Sequence, residues 1–238
     1  MTQHLSLAVS RSDAGAATSP VLMIHSFLSS GAVDWPPDRW ANPLAQRGHS
    51  VIAPDLPAHG ASGAVDGADA VSLAALVDAL AALLDRPADV VGYSLGARIA
   101  WALAARYPDR VRRLVLGGLS PMDPFAVLDY PAARAFAATG EQPSDPMTAM
   151  IAGAVVGAGG DVTSRLNFMQ GLSRDPFDPA GEAPSCPTLF VLGDDDQIAA
   201  GIEDLAKARG DRLVRVPGDH FAALHTPEFR EAVLAHLD

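Results

Sequence analysis

Five consecutive residues, Gly92-Tyr93-Ser94-Leu95-Gly96, carry the strongest chemical signal in the chain. They fit G-x-S-x-G and stand where a short β-rich run ends and an apolar helical pattern begins, which is the context that motif requires. The glycines allow a sharp turn, and the turn pushes the serine oxygen out at the carboxyl edge of a sheet. A serine hydroxyl is a poor nucleophile until a base removes its proton. The chemistry on offer is acyl transfer, provided that a base and an acid arrive from elsewhere. The bland alternative is an idle serine in a glycine-rich turn, and the strand–turn–helix setting weighs against it. A dinucleotide fingerprint would need glycine where Ser94 stands, and no G-x-x-x-x-G-K-[ST] occurs in the chain.

Seven histidines could supply the base. His4 and His49 read as surface or strand-edge residues, and His236 lies in the final helix. His25 and His59 sit in loops after strands. His220, in Pro217-Gly218-Asp219-His220-Phe221, follows the last strand, so its loop returns to the sheet edge that presents Ser94. Imidazole is half-protonated near neutrality and can take and return a proton. His225 abuts the Thr226-Pro227 helix start and reads as structural. The acid that orients the base should follow another strand. Leu192-Gly193-Asp194-Asp195-Asp196 offers three carboxylates, and Asp123 is a further choice. The Asp run lacks the alternating ligands and the glycine of a calcium loop, so no metal is expected.

These groups need a scaffold. Runs at 21–25, 50–54, 89–93, 114–116, 188–192 and 212–216 are short, β-rich and bounded by Gly, Pro or Asp, which favours strands. Between them, 71–84 has helical spacing. Leu95, Ile99, Leu103 and Tyr107 recur every four residues in a segment that is apolar nearly all round, as in a buried helix. Proline after Asp85-Arg86 and after Tyr107 stops these helices, and Thr226-Pro227-Glu228 starts the last one. Alternating strands and helices imply an α/β fold: a mostly parallel, doubly wound sheet with helices on both faces. The rhythm breaks between Leu119 and Ser185. This stretch has helical patches near 132–138 and 146–156 and is too long for an ordinary loop. It is read as a small helical cap inserted at 119–185 into a core of 1–118 and 186–238. The cap is expected to cover Met122, Phe125, Met147, Met150, Phe168 and Met169.

The composition of the 238 residues agrees with one such domain: 49% are hydrophobic and 19% charged, which excludes wholesale disorder. A net charge of −11 argues against nucleic acid or an anionic membrane as the main partner. The lone Cys186, before Pro187, reads as a small buried residue, and no internal disulfide is possible. The first twenty residues lack a basic start with an apolar core, and no run reaches membrane-spanning length. A cytoplasmic protein, a monomer or weak homodimer acting on a small molecule without a cofactor, is expected.

Four motifs in order resemble the α/β-hydrolase superfamily, in its cap-bearing serine hydrolase branch. Val21 to Gly31 (VLMIHSFLSSG) resembles the strand and oxyanion loop, and Asp55 to Ser62 (DLPAHGAS) the D-x-P-G-H-G-x-S signature. Gly92 to Gly96 resembles the nucleophile elbow. Leu192 to Asp196 with Gly218 to His220 resembles the acid and histidine loops. The resemblance implies Ser94 as nucleophile, His220 as base and Asp196 as the orienting acid. It places the oxyanion hole at the backbone N–H groups of Phe27 and Leu95, and makes His25 and His59 structural. Two departures stand out: Ser26 and Ala58 replace glycines, and Ser26 could tilt the Phe27 N–H or place its own hydroxyl in the pocket. A serine at the elbow sets aside the aspartate-nucleophile chemistry of dehalogenases and epoxide hydrolases.

The expected reaction is hydrolysis of a carboxylic ester or thioester through an acyl-enzyme, as in carboxylesterases. The pocket would be lined by Ser26, Met122, Phe125, Phe168 and Met169. The alternative is proton abstraction and elimination. Gly92 to Arg98 (GYSLGAR) is similar to the elbow of menaquinone-pathway SHCHC synthases, whose arginines bind substrate carboxylates, so Arg98 would bind substrate, with Arg134, Arg165 and Arg174 as further candidates. C–C bond hydrolases of aromatic breakdown share the cap style. A non-catalytic ligand-binding role is a third reading, and the filled triad positions give it no support.

Overall fold

The computed structural model describes residues 5–13, 15 and 19–238. The expectation for His4 and part of the leader reading lie outside them. Seven strands among the described residues form one sheet: β1 (Val9–Ser12), β2 (Val21–Ile24), β3 (Val51–Pro54), β4 (Ala88–Tyr93), β5 (Val111–Gly117), β6 (Thr188–Gly193) and β7 (Arg212–Val216). Their order is β1-β3-β2-β4-β5-β6-β7. All neighbours are parallel except β1, which runs antiparallel to β3 with Val9 opposite Pro54.

Side chains alternate across a strand, so a sheet covered on both faces needs two apolar sets. Leu22, Ile24, Val90, Leu114 and Phe190 face one core, with α3 (Leu73–Ala81), α4 (Leu95–Arg106) and α8 (Ile202–Arg209). Val21, Met23, Val91, Val115 and Leu189 face the other, with Trp35, Trp40 and Leu44 from the region of α1 (Gly31–Asp34) and α2 (Ala41–Ala45), and with α9 (Pro227–Leu237). The expected strands are all present, and β5 is longer than its apolar centre suggested. Ser72 caps α3 by accepting the Ala75 N–H at 3.1 Å, and Thr226 caps α9 by accepting the Phe229 N–H at 3.1 Å.

Between β5 and β6 lie α5 (Tyr130–Thr139), α6 (Pro146–Gly157) and α7 (Val162–Leu172). Each starts at an aspartate whose carboxylate accepts a backbone N–H of the first turn: Asp129 from Ala132, Asp145 from Thr148, Asp161 from Ser164. The third helix was not foreseen, because its apolar residues form no clear stripe. It docks on the core through Val65, whose N–H donates to Ser164 Oγ at 2.7 Å and whose carbonyl accepts from Asn167 Nδ2 at 2.7 Å. Coverage is uneven. Phe125, Phe168 and Met169 are buried, whereas Met122 is 68% and Met150 60% exposed, contrary to expectation.

Asp89, on β4, has no exposed surface, and neither carboxylate oxygen has a hydrogen-bond donor among the described residues. Burial raises its pKa, and the pull of Arg112, 3.6 Å away, and of Arg113 does not offset it. An unfolded aspartate titrates near ~3.9. The folded protein therefore holds more proton between that value and the raised one, and stability falls as pH rises through the window. Asp89→Asn is expected to raise Tm at pH 7 by on the order of 2–4 °C. The gain should shrink toward pH 4, as followed by circular dichroism melts.

Candidate active site

Ser94 sits between the end of β4 and the start of α4 with φ 53° and ψ −116°. A non-glycine residue in that region is strained by on the order of 1–3 kcal/mol. Its N–H is held by the Gly117 carbonyl at 2.8 Å. The flanking glycines are needed for space. A Cβ on Gly92 would run into the Gly96 carbonyl, and one on Gly96 into the Ile24 carbonyl, so helix, β4 and β2 approach as closely as backbone allows.

His220 and Asp196 come from the loops after β7 and β6. The Ser94 hydroxyl lies 2.9 Å from His220 Nε2, and His220 Nδ1 lies 3.0 and 2.9 Å from the two Asp196 oxygens. With Nδ1–H donating to the carboxylate, Nε2 is left as the acceptor for the serine O–H. Asp196 Oδ1 also accepts the Ile198 and Ala199 N–H groups at 3.0 and 2.9 Å. Burial pushes its carboxyl up, but the hydrogen bonds from His220, Ala199 and Ile198 outweigh it and hold the pKa below the usual range. The group therefore stays ionised at neutral pH. Asp194 and Asp195 are exposed turn residues. His225 is exposed, and His236 lies in α9 with Nε2 3.4 Å from the Pro187 carbonyl. His49 is buried rather than at the surface, its Nδ1 2.8 Å from the Ser19 carbonyl.

The loop after β2 holds Phe27, whose N–H has no acceptor among the described residues; the same is true of Leu95. Ser26 does not turn its hydroxyl to a pocket. Its N–H and O–H both donate to Asp34 Oδ2, at 2.7 and 2.8 Å, and the Ser29 hydroxyl donates to Oδ1. Asp34 is buried and was not foreseen, because nothing in Val33-Asp34-Trp35 marks it. The next layer is equally well tied. His25 donates from Nδ1 to the Ser26 carbonyl at 2.7 Å and accepts the Leu56 N–H at Nε2 at 2.9 Å; burial lowers its pKa. Asp55 accepts the Gly31 and Ala61 N–H groups, each at 2.8 Å. His59 donates to the Pro57 carbonyl, and burial brings its pKa down to about 4. Ala58, in place of a glycine, carries φ 65°. The Phe27 ring meets Phe125 at 5.1 Å and His59 at 5.6 Å, and His59 meets Phe168 at 5.3 Å.

Arg98 lies one turn after Ser94 and is buried. Its Nη2 stands 2.9 Å from Asp123 Oδ2 and donates to the Leu172 carbonyl at 3.0 Å and to the Asp175 carbonyl. Asp123 also accepts the Phe125 and Phe177 N–H groups at 3.0 and 3.1 Å. Asp123 is thus engaged by Arg98, away from the histidine, and the pair ties both ends of the inserted segment to α4. Arg134 is spent on Asn167 and Gln170, Arg165 on the Gly159 carbonyl and Arg174 on Asp69. A groove of about 360 Å³ runs between α3, α4 and residues 175–182, but neither Ser94 nor His220 lines it.

A family model described as "alpha/beta hydrolase fold" matches residues 19–146, more than half of the chain. The chain belongs to the α/β-hydrolase family. It is 46% identical over 101 residues to the pimeloyl-[acyl-carrier protein] methyl ester esterase of Chromobacterium violaceum, a match covering 42% of this chain and 37% of that protein. It is 42% identical over 111 residues to the 2-hydroxymuconate semialdehyde hydrolase of Pseudomonas sp. strain CF600, covering 44% and 38%. The chain thus spans well under half the length of these curated relatives in the matched regions. A crystal structure of a hydrolase from Pseudomonas aeruginosa superposes with a TM-score of 0.70 at 27% identity, covering 98% of this chain and 94% of that one. No helix among the described residues is long and apolar enough to cross a membrane.

Two outcomes are expected here. Arg98→Met strands Asp123 as a buried charge without its counter-ion and should cost about 3–5 kcal/mol of stability in urea unfolding, a loss that Arg98→Met/Asp123→Leu should recover only in part, because the Phe125 and Phe177 N–H groups then lose their acceptor. An unchanged unfolding midpoint in the single variant would refute the tie. Ala58→Gly relieves a left-handed alanine and should stabilise by about 1 kcal/mol, read from the same midpoints.

Proposed function

We propose that this chain is a serine hydrolase that cleaves a carboxylic ester or thioester of a small to medium substrate through an acyl-enzyme. The observation that carries the reading is the continuous Ser94–His220–Asp196 hydrogen-bond chain, with bonds of 2.9–3.0 Å. Similarity to a protein named as a methyl ester esterase, 46% identical over 101 residues, supports it.

In this reading His220 Nε2 takes the Ser94 proton as Oγ attacks the carbonyl carbon. The Phe27 and Leu95 N–H groups receive the oxyanion; each such donor is typically worth about 2.7–4 kcal/mol. The tetrahedral intermediate collapses, the C–O or C–S bond breaks, and the proton on His220 passes to the leaving alcohol or thiol. Water, deprotonated by His220, then attacks the acyl carbon and regenerates Ser94. Asp196 holds the imidazole in the tautomer with Nδ1 protonated and stabilises the imidazolium.

Residues 119–185 serve as the cap. Phe125, in contact with Phe27, and buried Phe168 and Met169 wall the acyl side, while exposed Met122 lies outside it. C–C bond hydrolysis by the same residues is the second reading, supported by identity to the muconate semialdehyde hydrolase. The burial of Arg98 against Asp123 weighs against carboxylate-directed elimination.

Incubation with a fluorophosphonate, followed by intact mass, should label wild type once and leave Ser94→Ala unlabelled. Asp196→Asn should lose about 10⁴-fold in kcat on p-nitrophenyl or thioester substrates. A folded wild type that takes no label overturns the acyl-enzyme reading.

A further inference from the structure

We infer that Tyr93, the first of the two variable residues of the G-x-S-x-G motif, is a positioning residue for the base; this rests on the assignment of Ser94 and His220 above. Its hydroxyl donates to the His220 backbone carbonyl at 2.7 Å, across 127 residues of sequence. That carbonyl has no other donor among the described residues. The Tyr93 ring lies against the His220 imidazole, with centroids 5.7 Å apart at 48°, and meets the edge of Phe229 at 5.5 Å. Gly118 closes the remaining side: a Cβ there would lie 3.0 Å from Tyr93 Cζ and 3.2 Å from His220 Cε1. The tyrosine therefore fills a slot in which both the backbone and the ring of His220 rest on it. Burial, and the nearby Asp196 charge, raise its pKa, so the hydroxyl remains a donor throughout the working range.

The rest of the histidine loop is anchored at other residues. Asp219 Oδ1 accepts the Phe221 and Ala222 N–H groups at 3.0 and 2.8 Å, and the Gly218 carbonyl accepts the Asp195 N–H at 3.1 Å. Those contacts fix the shape of the turn. The Tyr93 bond fixes residue 220 itself relative to residue 94, because Tyr93 and Ser94 are adjacent. One rigid strand end thus carries the nucleophile and, one residue earlier, the strut for its base. Proton transfer is sensitive to displacements well below 1 Å, so the strut acts on the chemical step and not on substrate binding.

Tyr93→Phe keeps the ring and removes the hydroxyl, with its bond to the His220 carbonyl and its interaction with the Leu224 N–H. On a p-nitrophenyl ester its kcat should fall about tenfold with KM within about twofold, and its fluorophosphonate labelling rate should fall in parallel. Phe229→Leu serves as the packing control: it loosens the same slot without touching the hydroxyl, and should lower Tm while keeping kcat within about twofold. A Tyr93→Phe protein with wild-type kcat and labelling rate overturns the positioning role. So does a kcat loss that Phe229→Leu reproduces at equal loss of Tm. A wild type that is never labelled at Ser94 overturns the hydrolase reading and this inference with it. A labelled wild type beside an unaffected Tyr93→Phe overturns this inference alone.

Discussion

The hydrogen bond between Ser94 Oγ and His220 Nε2 joins residues 126 apart, and the strand order exists around it. β4, β5, β6 and β7 lie side by side and parallel, so the loops that follow them open at one edge of the sheet. Ser94 leaves β4, Asp196 leaves β6 and His220 leaves β7. No side chain needs to reach far, because adjacent strands are about 4.8 Å apart. What remains is orientation. It is supplied by the strained serine, by the glycines that let α4 sit against β2 and β4, and by backbone donors that fix each loop.

An acidic chain could be expected to carry its carboxylates in solvent. Several of the aspartates nearest the site are instead buried, or half-buried in the case of Asp55, and fully used. Asp34 gathers Ser26 and Ser29, Asp55 ties Gly31 to Ala61, Asp196 holds His220, and Asp123 meets Arg98. Each replaces lost hydration with two or more donors, the condition for burying a charge without a large penalty. Asp89 lacks such donors, and it lies at the opposite end of β4 from the serine. Among the described buried aspartates, the one without donors thus lies away from the reacting edge.

The elbow, the histidine and the six parallel strands were legible because each rests on a local rule: a glycine spacing, a β-rich run bounded by breakers, a loop after a strand. The choice of Asp196 among four carboxylates came from resemblance, since neighbouring aspartates in one turn look alike until backbone donors select one. β1 was missed because Val9-Ser10-Arg11-Ser12 lies at an edge, half exposed, without an apolar run. The resemblance makes Arg98 substrate-facing, whereas its ion pair with a residue 25 positions away leaves no trace in spacing. That the Ser26 hydroxyl turns to Asp34 rather than into the pocket is not legible, because Asp34 gives no local sign of gathering it. Tyr93 was passed over because the motif lets any residue stand there.

The proposed chemistry turns on a covalent intermediate on Ser94 reached through this edge geometry. The most direct measurement is product partitioning in the presence of methanol, with a series of esters that share one acyl group and differ in leaving group. A common acyl-enzyme gives one constant ratio of acid to methyl ester across the series, whatever the leaving group, and this account predicts that result. A ratio that changes with the leaving group means that water attacks the substrate directly, and would contradict it.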